Sequence, residues 1–248
     1  MKARAALFGV GAVPAAAVLA WGLGGLRGFG HVHTAYADAV VALTEPARHA
    51  TNAITTVVMD VRAVDTASEE LLLLAAVVGV LLVLRITPRD REVAPRRRLE
   101  SRANVPESSA VVATCRALLA PAALLGIYIV MHGQLTPGGG FQGGVLLAVP
   151  SVLVYLGTRD QTYERFHDSP PWEIVQAIAI CVFLGFGYLA LARGDGFLGD
   201  FLPLGVTGTV YSSGTIEALN VVAGIAVDTA IVLLAVAFLG QLNRVRDA

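Results

Sequence analysis

The sequence predicts an all-α polytopic membrane protein: a bundle of about six transmembrane helices with both termini in the cytoplasm. Three observations predict it. The 248-residue chain is 55% hydrophobic and only 15% charged, with a clearly positive mean hydropathy, whereas soluble domains carry about a quarter charged residues. Residues 5–26, 71–84, 117–131, 143–157, 174–192 and 218–240 contain no Lys, Arg, Asp or Glu except Asp228. About 20 apolar residues cross the ~30 Å hydrocarbon core as a helix, and flanking residues can extend the shorter stretches. Finally, the cations cluster at alternate ends of these stretches. Lys2, Arg4, the series from Arg85 to Arg102, Arg159, Arg165, Arg244 and Arg246 fall on one side, and only Arg27, Arg48, Arg62 and Arg193 on the other. Cytoplasmic loops carry the excess of Lys and Arg, so six spans bring every Arg-rich segment to the same face.

In chain order, the first stretch reads as a span, although Lys2 and Arg4 ahead of an apolar run ending in small residues also fit a cleavable signal peptide. Cleavage would leave five spans and an external amino terminus. Residues 1–86 then form a module with two spans. Residues 87–109 form an Arg-rich cytoplasmic linker, whose Pro, Arg and Glu bias is that of solvated chain. Its Arg96-Arg97-Arg98 triplet suits anionic headgroups or a partner subunit, or simply fixes topology. Residues 110–248 supply four further spans. Cys115 and Cys181 form no metal or disulfide pattern and read as small buried residues.

The segment "QLTPGGGFQGGVLLA", residues 134–148, satisfies G-x-G-x-x-G at Gly138, Gly140 and Gly143. A dinucleotide fingerprint must follow a short strand, open a helix, and precede an acidic residue about 20 positions on. Here the preceding run is too long for a strand and contains Pro121, and a second span separates the cluster from Asp160. No nucleotide or other cofactor is expected. Instead, Pro137, Gly138, Gly139, Gly140, Phe141, Gly143 and Gly144 read as a tight turn between spans. Glycine supplies positive φ and close backbone approach, and small residues let membrane helices pack tightly.

That same stretch resembles the signature of the B-subunit family of Mrp-type multisubunit cation/proton antiporters, the MnhB-like domain, which also has relatives in membrane-bound hydrogenase complexes. The resemblance covers about residues 110–240 and extends to the closing "GTIEALNVVAGIAVDTAIVLLAVAFL". Residues 52–84 are similar to the short E-type module of membrane-bound hydrogenases, which also ends the large A-subunit of Mrp antiporters. Asn52, Asp60, Arg62, Asp65, Thr66 and Glu69 match that pattern, and Ala67-Ser68 depart from its usual Leu-Gly. The chain thus resembles two neighbouring subunits fused through the linker. The resemblance implies an accessory membrane subunit of a Na⁺/H⁺ antiporter in the cell membrane. Its partners would be the lipid bilayer and other membrane subunits, and Na⁺ and H⁺ would be the ions moved by the complex. The alternatives are a subunit of a redox-driven, complex I-like assembly, or a purely structural scaffold.

Ionisable residues in or near a span are costly and are functional candidates by default. Asp60, Arg62, Asp65 and Glu69, with Glu70, are the densest group. On a helix Asp65 and Glu69 share a face, with Arg62 three residues before Asp65, an arrangement that suits either a proton relay or a structural ion pair. Asp228 lies alone in the last span, facing a wet cavity or bonded to Thr229 or a neighbouring helix. Glu217 fits the N-terminus of that helix. His132, at the outer end of the third span, can exchange protons near neutral pH or make an interfacial hydrogen bond. No catalytic triad, no H-E-x-x-H and no Walker sequence occurs, so no enzymatic activity and no metal site are expected. The net charge of −1 gives no sign of a nucleic-acid partner, and none is expected.

Overall fold

The computed structural model describes residues 2–25, 34–84, 108–158 and 171–245. Nearly all of the Arg-rich linker and the loop at 159–170 lie outside the described residues. The chain divides into two compact units, residues 1–39 and 40–248. The first contains helix α1 (Lys2–Gly24), whose Ala12–Gly24 portion is apolar. From Val13 onward α1 turns large side chains such as Trp21 outward. Helix α2 (Ala35–Arg48) crosses the division.

In the larger unit, α2 ends at Arg48, and His49 takes a left-handed φ of 50° that turns the chain into a short helix, α3 (Ala53–Thr56). Asn52 caps α3, its side chain accepting from the Ile54 N–H at 3.1 Å, which satisfies one of the orphan donors of a helix start. The chain then loosens into a π-helical turn, Val57–Val61, before α4 (Ala63–Val83). A π turn adds a residue and misaligns carbonyls. Here the Thr66 hydroxyl donates to the Val58 carbonyl at 2.5 Å and ties α4 back to the turn.

Helices α5 (Ser109–Met131), α6 (Gly140–Thr158), α7 (Pro171–Ala192) and α8 (Thr215–Val245) complete the bundle. Five helices, α4 to α8, are long and apolar enough to cross a membrane, and the shorter apolar stretch in α1 is additional. The expected all-α class therefore holds. No strand occurs among the described residues, only an isolated bridge between Gly205 and Ser212. The last helix is the centre. It packs against α4, α5, α6 and α7, and 44% of its apolar window is buried against 11% for α5. The helices that face each other are apolar nearly all round, as expected where lipid replaces water on the outer surface.

Three apolar clusters run down the α4–α7–α8 interface. Met59, Ala63, Ala67, Phe183, Leu219 and Ala223 form the first. Ala179, Ile180 and Ala226 with Leu74 form the next, and Val77, Ala230 and Leu233 with Trp172 the last. Their order shows α4 and α8 running together and α7 opposite to both. Cys115 is buried as expected, but Cys181 is exposed. It sits on the outward side of α7, where a small polarisable side chain is tolerated as readily as in a core.

Candidate functional site

The glycine turn joins α5 to α6. Gly138 and Gly139 have φ of 148° and 134°, values open to glycine and strained for other residues. The turn is held from α8. The buried Asn220 accepts from the Gly140 N–H at 3.0 Å and donates to the Ile216 carbonyl at 3.0 Å. It thereby satisfies an N–H at the start of α6, where no intrahelical partner exists. A Cβ on Gly140 would stand 2.5 Å from the Asn220 carbonyl oxygen, and one on Gly144 would stand 2.7 Å from the Gly224 carbonyl. A Cβ on Gly143 would collide with Val130 of α5. The glycines therefore set how near α6 comes to both neighbours. Phe141 packs against the Met59–Phe183 cluster, and Pro137 is exposed at the turn's entry.

The other side of the turn is gripped by the segment after α2. Asn52 donates to the carbonyls of Gly133 (2.8 Å) and Thr136 (2.9 Å), and Thr55 donates to Gly133 at 2.6 Å. The backbone N–H groups of Thr51 and Asn52 both reach the Gln134 carbonyl, at 3.0 and 3.1 Å. Gln134, fully buried, donates to Val210 at 2.8 Å. The loop between α7 and α8 closes the assembly. The His49 ring meets the Gly205 carbonyl at 2.8 Å, and the Ser213 hydroxyl donates to the His49 carbonyl at 3.0 Å. Three chain segments are thus cross-linked through backbone groups that would otherwise be unsatisfied at membrane depth.

The charged residues fall into separate groups. Asp60 does not join Arg62 and Asp65. The π turn directs it to Arg48, at 2.5 Å, with the Asp60 side chain only 7% exposed. Asp200 lies within electrostatic reach of both and accepts from the Thr215 N–H at 2.8 Å, capping α8. Thr215 in turn accepts from the Phe201 N–H at 3.1 Å. Burial, the largest influence, lifts the Asp200 carboxyl above the usual aspartate range. The Thr215 hydrogen bonds and Arg48 oppose that lift, and Asp60 adds to it. Arg62 pairs with Asp65 on the outer side of α4. Glu69 is exposed one turn later and has no hydrogen bond or ion pair among the described residues.

Glu70, by contrast, is 1% exposed, and neither carboxyl oxygen has a partner. Asp228 also carries a buried oxygen without a partner. Its neighbour Thr229 bonds the carbonyls of Ile225 and Ala226 instead, at 2.8 and 2.9 Å, so of the alternatives open to Asp228 the bond to Thr229 is not formed. Two residues correspond to about 200° on a helix, which sets Asp228 on the opposite side of α8 from Ala226 and hence away from α4. His132 stacks on Tyr128 at 4.1 Å, and its Nδ1 meets the Tyr128 carbonyl at 2.9 Å. Glu217 lies in the first turn of α8. No group of three or more His, Cys, Asp or Glu suited to a metal exists among the described residues.

Sequence reading missed Arg48, Asn220 and Asp200, and it named Glu70 only as a neighbour of Glu69. The signal for Asn220 is present: a lone amide in a 25-residue apolar span needs a hydrogen-bonding partner. Arg48 ends a helix, where cations are common, and nothing local marks Asp60 as its partner.

An all-helical bundle with five helices long and apolar enough to cross a membrane, a polar clamp and few charges within them defines a multi-pass membrane protein. Residues 110–237 match the domain related to the MnhB subunit of Na⁺/H⁺ antiporter, and the chain belongs to that family. An uncharacterised protein of Methanocaldococcus jannaschii is 27% identical over 201 residues, covering 71% of this chain and 72% of its own. A chain of the membrane-bound sulfane sulfur reductase, an archaeal respiratory membrane complex, is 27% identical with a TM-score of 0.70. The match covers 96% of this chain and 99% of that one. A chain of the Mrp complex from a Dietzia species shares the fold at a TM-score of 0.67 and 21% identity. It covers 96% of this chain and 26% of the longer Dietzia chain.

Proposed function

We propose that the chain is an accessory membrane subunit of an Mrp-type Na⁺/H⁺ antiporter in the cell membrane. In this reading it organises its neighbours, contributes to proton or sodium passage, and is not an enzyme by itself. The observation that carries this reading is the family match over residues 110–237, which includes the clamped glycine turn. Residues 1–86 act as the E-type or A-subunit-tail module, joined through the linker to the MnhB-like domain. The Asn52 and Thr55 bonds to the turn support this, since they lock the two modules together as neighbouring subunits would be locked. A bundle with so few intramembrane charges does not supply a whole ion path, so larger subunits complete it. Both termini and the linker face the cytoplasm, and cysteines introduced at Ser101 and Thr136 should label from opposite sides.

A second reading has its own support. The sulfane sulfur reductase chain covers this chain almost end to end, which favours a place in a redox-driven membrane complex. Purification in mild detergent separates the two. Co-purifying subunits with antiport activity in vesicles and no redox centres support the first reading. Iron–sulfur or quinone-type subunits in the same complex overturn it in favour of the second.

A further inference from the structure

Glu70 lies on the face of α4 that contacts α7 and α8, in line with Ala63, Thr66, Ala67 and Val77. It is seven residues into the span, about 10 Å along the helix. Above it Ala67 belongs to the Phe183–Leu219–Ala223 cluster, and below it Leu74 meets Ala179, Ile180 and Ala226. These facing groups carry no charge, and the one amide on the same buried face of α7, Gln176 one turn before Ala179 and Ile180, forms no bond to Glu70 and keeps its Nε2 without a partner. The nearest cations on the same stretch are already engaged, Arg48 with Asp60 and Arg62 with Asp65. The Thr66 hydroxyl, one turn away, donates to the π turn instead. Glu217 and Asp228 occupy other sides of α8. The adjacent Glu69 is the charged group whose field reaches Glu70, and it carries the same sign.

Three species can satisfy such a carboxyl: a cationic side chain, a metal ion or a proton. The first is absent among the described residues. A sodium or other hard cation needs several oxygen ligands, and beyond the single amide of Gln176 the facing residues are apolar. A bare carboxylate among them carries a large desolvation cost. One proton on one oxygen removes that cost and needs no further ligand.

We propose that Glu70 is an intramembrane proton-binding site of this chain, a station at which the complex holds a proton between α4, α7 and α8. This rests on the reading of the chain as part of an ion-translocating assembly, and it moves the working carboxyl from the outward Asp65–Glu69 face to the inward one.

The test uses the intact complex purified in mild detergent and treated with dicyclohexylcarbodiimide, a lipid-soluble reagent that adds to protonated carboxyls in apolar surroundings. The acid O–H adds across one C=N bond, the carboxylate oxygen bonding to carbon and the proton passing to nitrogen. Acyl migration then leaves a stable N-acylurea with no leaving group. Mass spectrometry should find the adduct on Glu70, and a water-soluble carbodiimide should leave Glu70 unmodified. Glu70→Gln should remove the adduct and lower cation/proton exchange in vesicles at least tenfold at unchanged yield of complex, and Glu70→Asp should restore part of it. An unmodified Glu70 overturns the proposal, as does wild-type exchange in Glu70→Gln. Protection of Glu70 by Na⁺ at constant pH overturns the assignment of the proton as its ligand. If Glu70→Gln does not assemble, labelling of the wild-type complex decides. An adduct on Glu70 in a complex without antiport keeps the site and overturns the antiporter reading. Antiport with a silent Glu70 does the reverse.

Discussion

Gly140→Ala should destabilise the protein, whereas Gly79→Ala should not, although both replace a helical glycine by a better helix former. A methyl on Gly140 would stand 2.5 Å from the Asn220 carbonyl oxygen, 2.8 Å from the Ala223 Cβ and 3.0 Å from the Gly224 N. Non-bonded carbons rest at about 3.5–4.0 Å, so α6 and α8 must part by roughly 1 Å. Two of the three obstacles are backbone and cannot rotate aside. Overpacking of this kind costs about 1–3 kcal/mol. The same displacement stretches the 3.0 Å bond between the Gly140 N–H and Asn220, worth about another 0.5–1.5 kcal/mol. The alanine gain in helix propensity, up to ~1 kcal/mol in a helix interior, is small at the first residue of α6. The net loss is therefore about 3 kcal/mol. At about 2–4 °C per kcal/mol for a chain of this size, the apparent melting temperature should fall by roughly 6–12 °C. Gly79 has nothing within 4 Å of an added Cβ, and its alanine variant should melt at or slightly above the wild type. The assay is heating of each purified variant in one detergent, followed by size-exclusion chromatography of the remaining monodisperse fraction. Equal melting of the two variants would refute the reasoning, because it would mean that the α6–α8 approach is not limited by glycine.

Asn220→Ala should cost about 1–3 kcal/mol by leaving a buried N–H without an acceptor, and Asn52→Ala should cost a similar amount; the same melting assay reads both. Arg48→Ala should cost about 3 kcal/mol, the low end for buried pairs because Arg48 is a third exposed. Asp60→Asn added to Arg48→Ala should recover part of that loss, since it removes the stranded charge. For Asp200 the folded state holds its proton above the usual aspartate range, so the folded chain binds protons more tightly than the unfolded one. Its contribution to stability is present at low pH and is lost as pH rises through the ordinary aspartate range to the raised folded value. Asp200→Asn should flatten that part of a melting-temperature-against-pH curve, and an unchanged slope would show that the carboxyl does not titrate with folding.

The helical class and the spans were legible because charge-free runs of membrane length leave few alternatives. The turn was legible too, since proline followed by three glycines between apolar runs cannot continue a helix. Its fastening was not. Asn220 stands 80 residues after Gly140, and no local pattern joins an amide in one span to an N–H in another. Glu69 and Glu70 posed a different difficulty. A helix apolar on every side has no amphipathic stripe to show which face turns inward, so adjacent glutamates are equivalent in sequence and opposite in the fold. The π turn at Val57–Val61 interrupts the helix ahead of α4, and Asp60 within it pairs with Arg48 while Asp65 pairs with Arg62. Closeness in sequence therefore grouped Asp60 with side chains from which the backbone separates it.

The dependence of the glycine turn on Asn220 imposes an order on biogenesis. A ribosome delivers α5, the turn and α6 well before α8, so for that interval the Gly140 N–H sits at the membrane boundary with its intended acceptor not yet synthesised. A chain stopped before Thr215 lacks the helix against which α4, α5, α6 and α7 all pack. Such a chain leaves the Gly140 N–H without its Asn220 acceptor, an unsatisfied polar group that is costly away from water. The turn is therefore closed only when α8 arrives, the helix that brings both the Asn220 acceptor and the surface on which the other four spans pack.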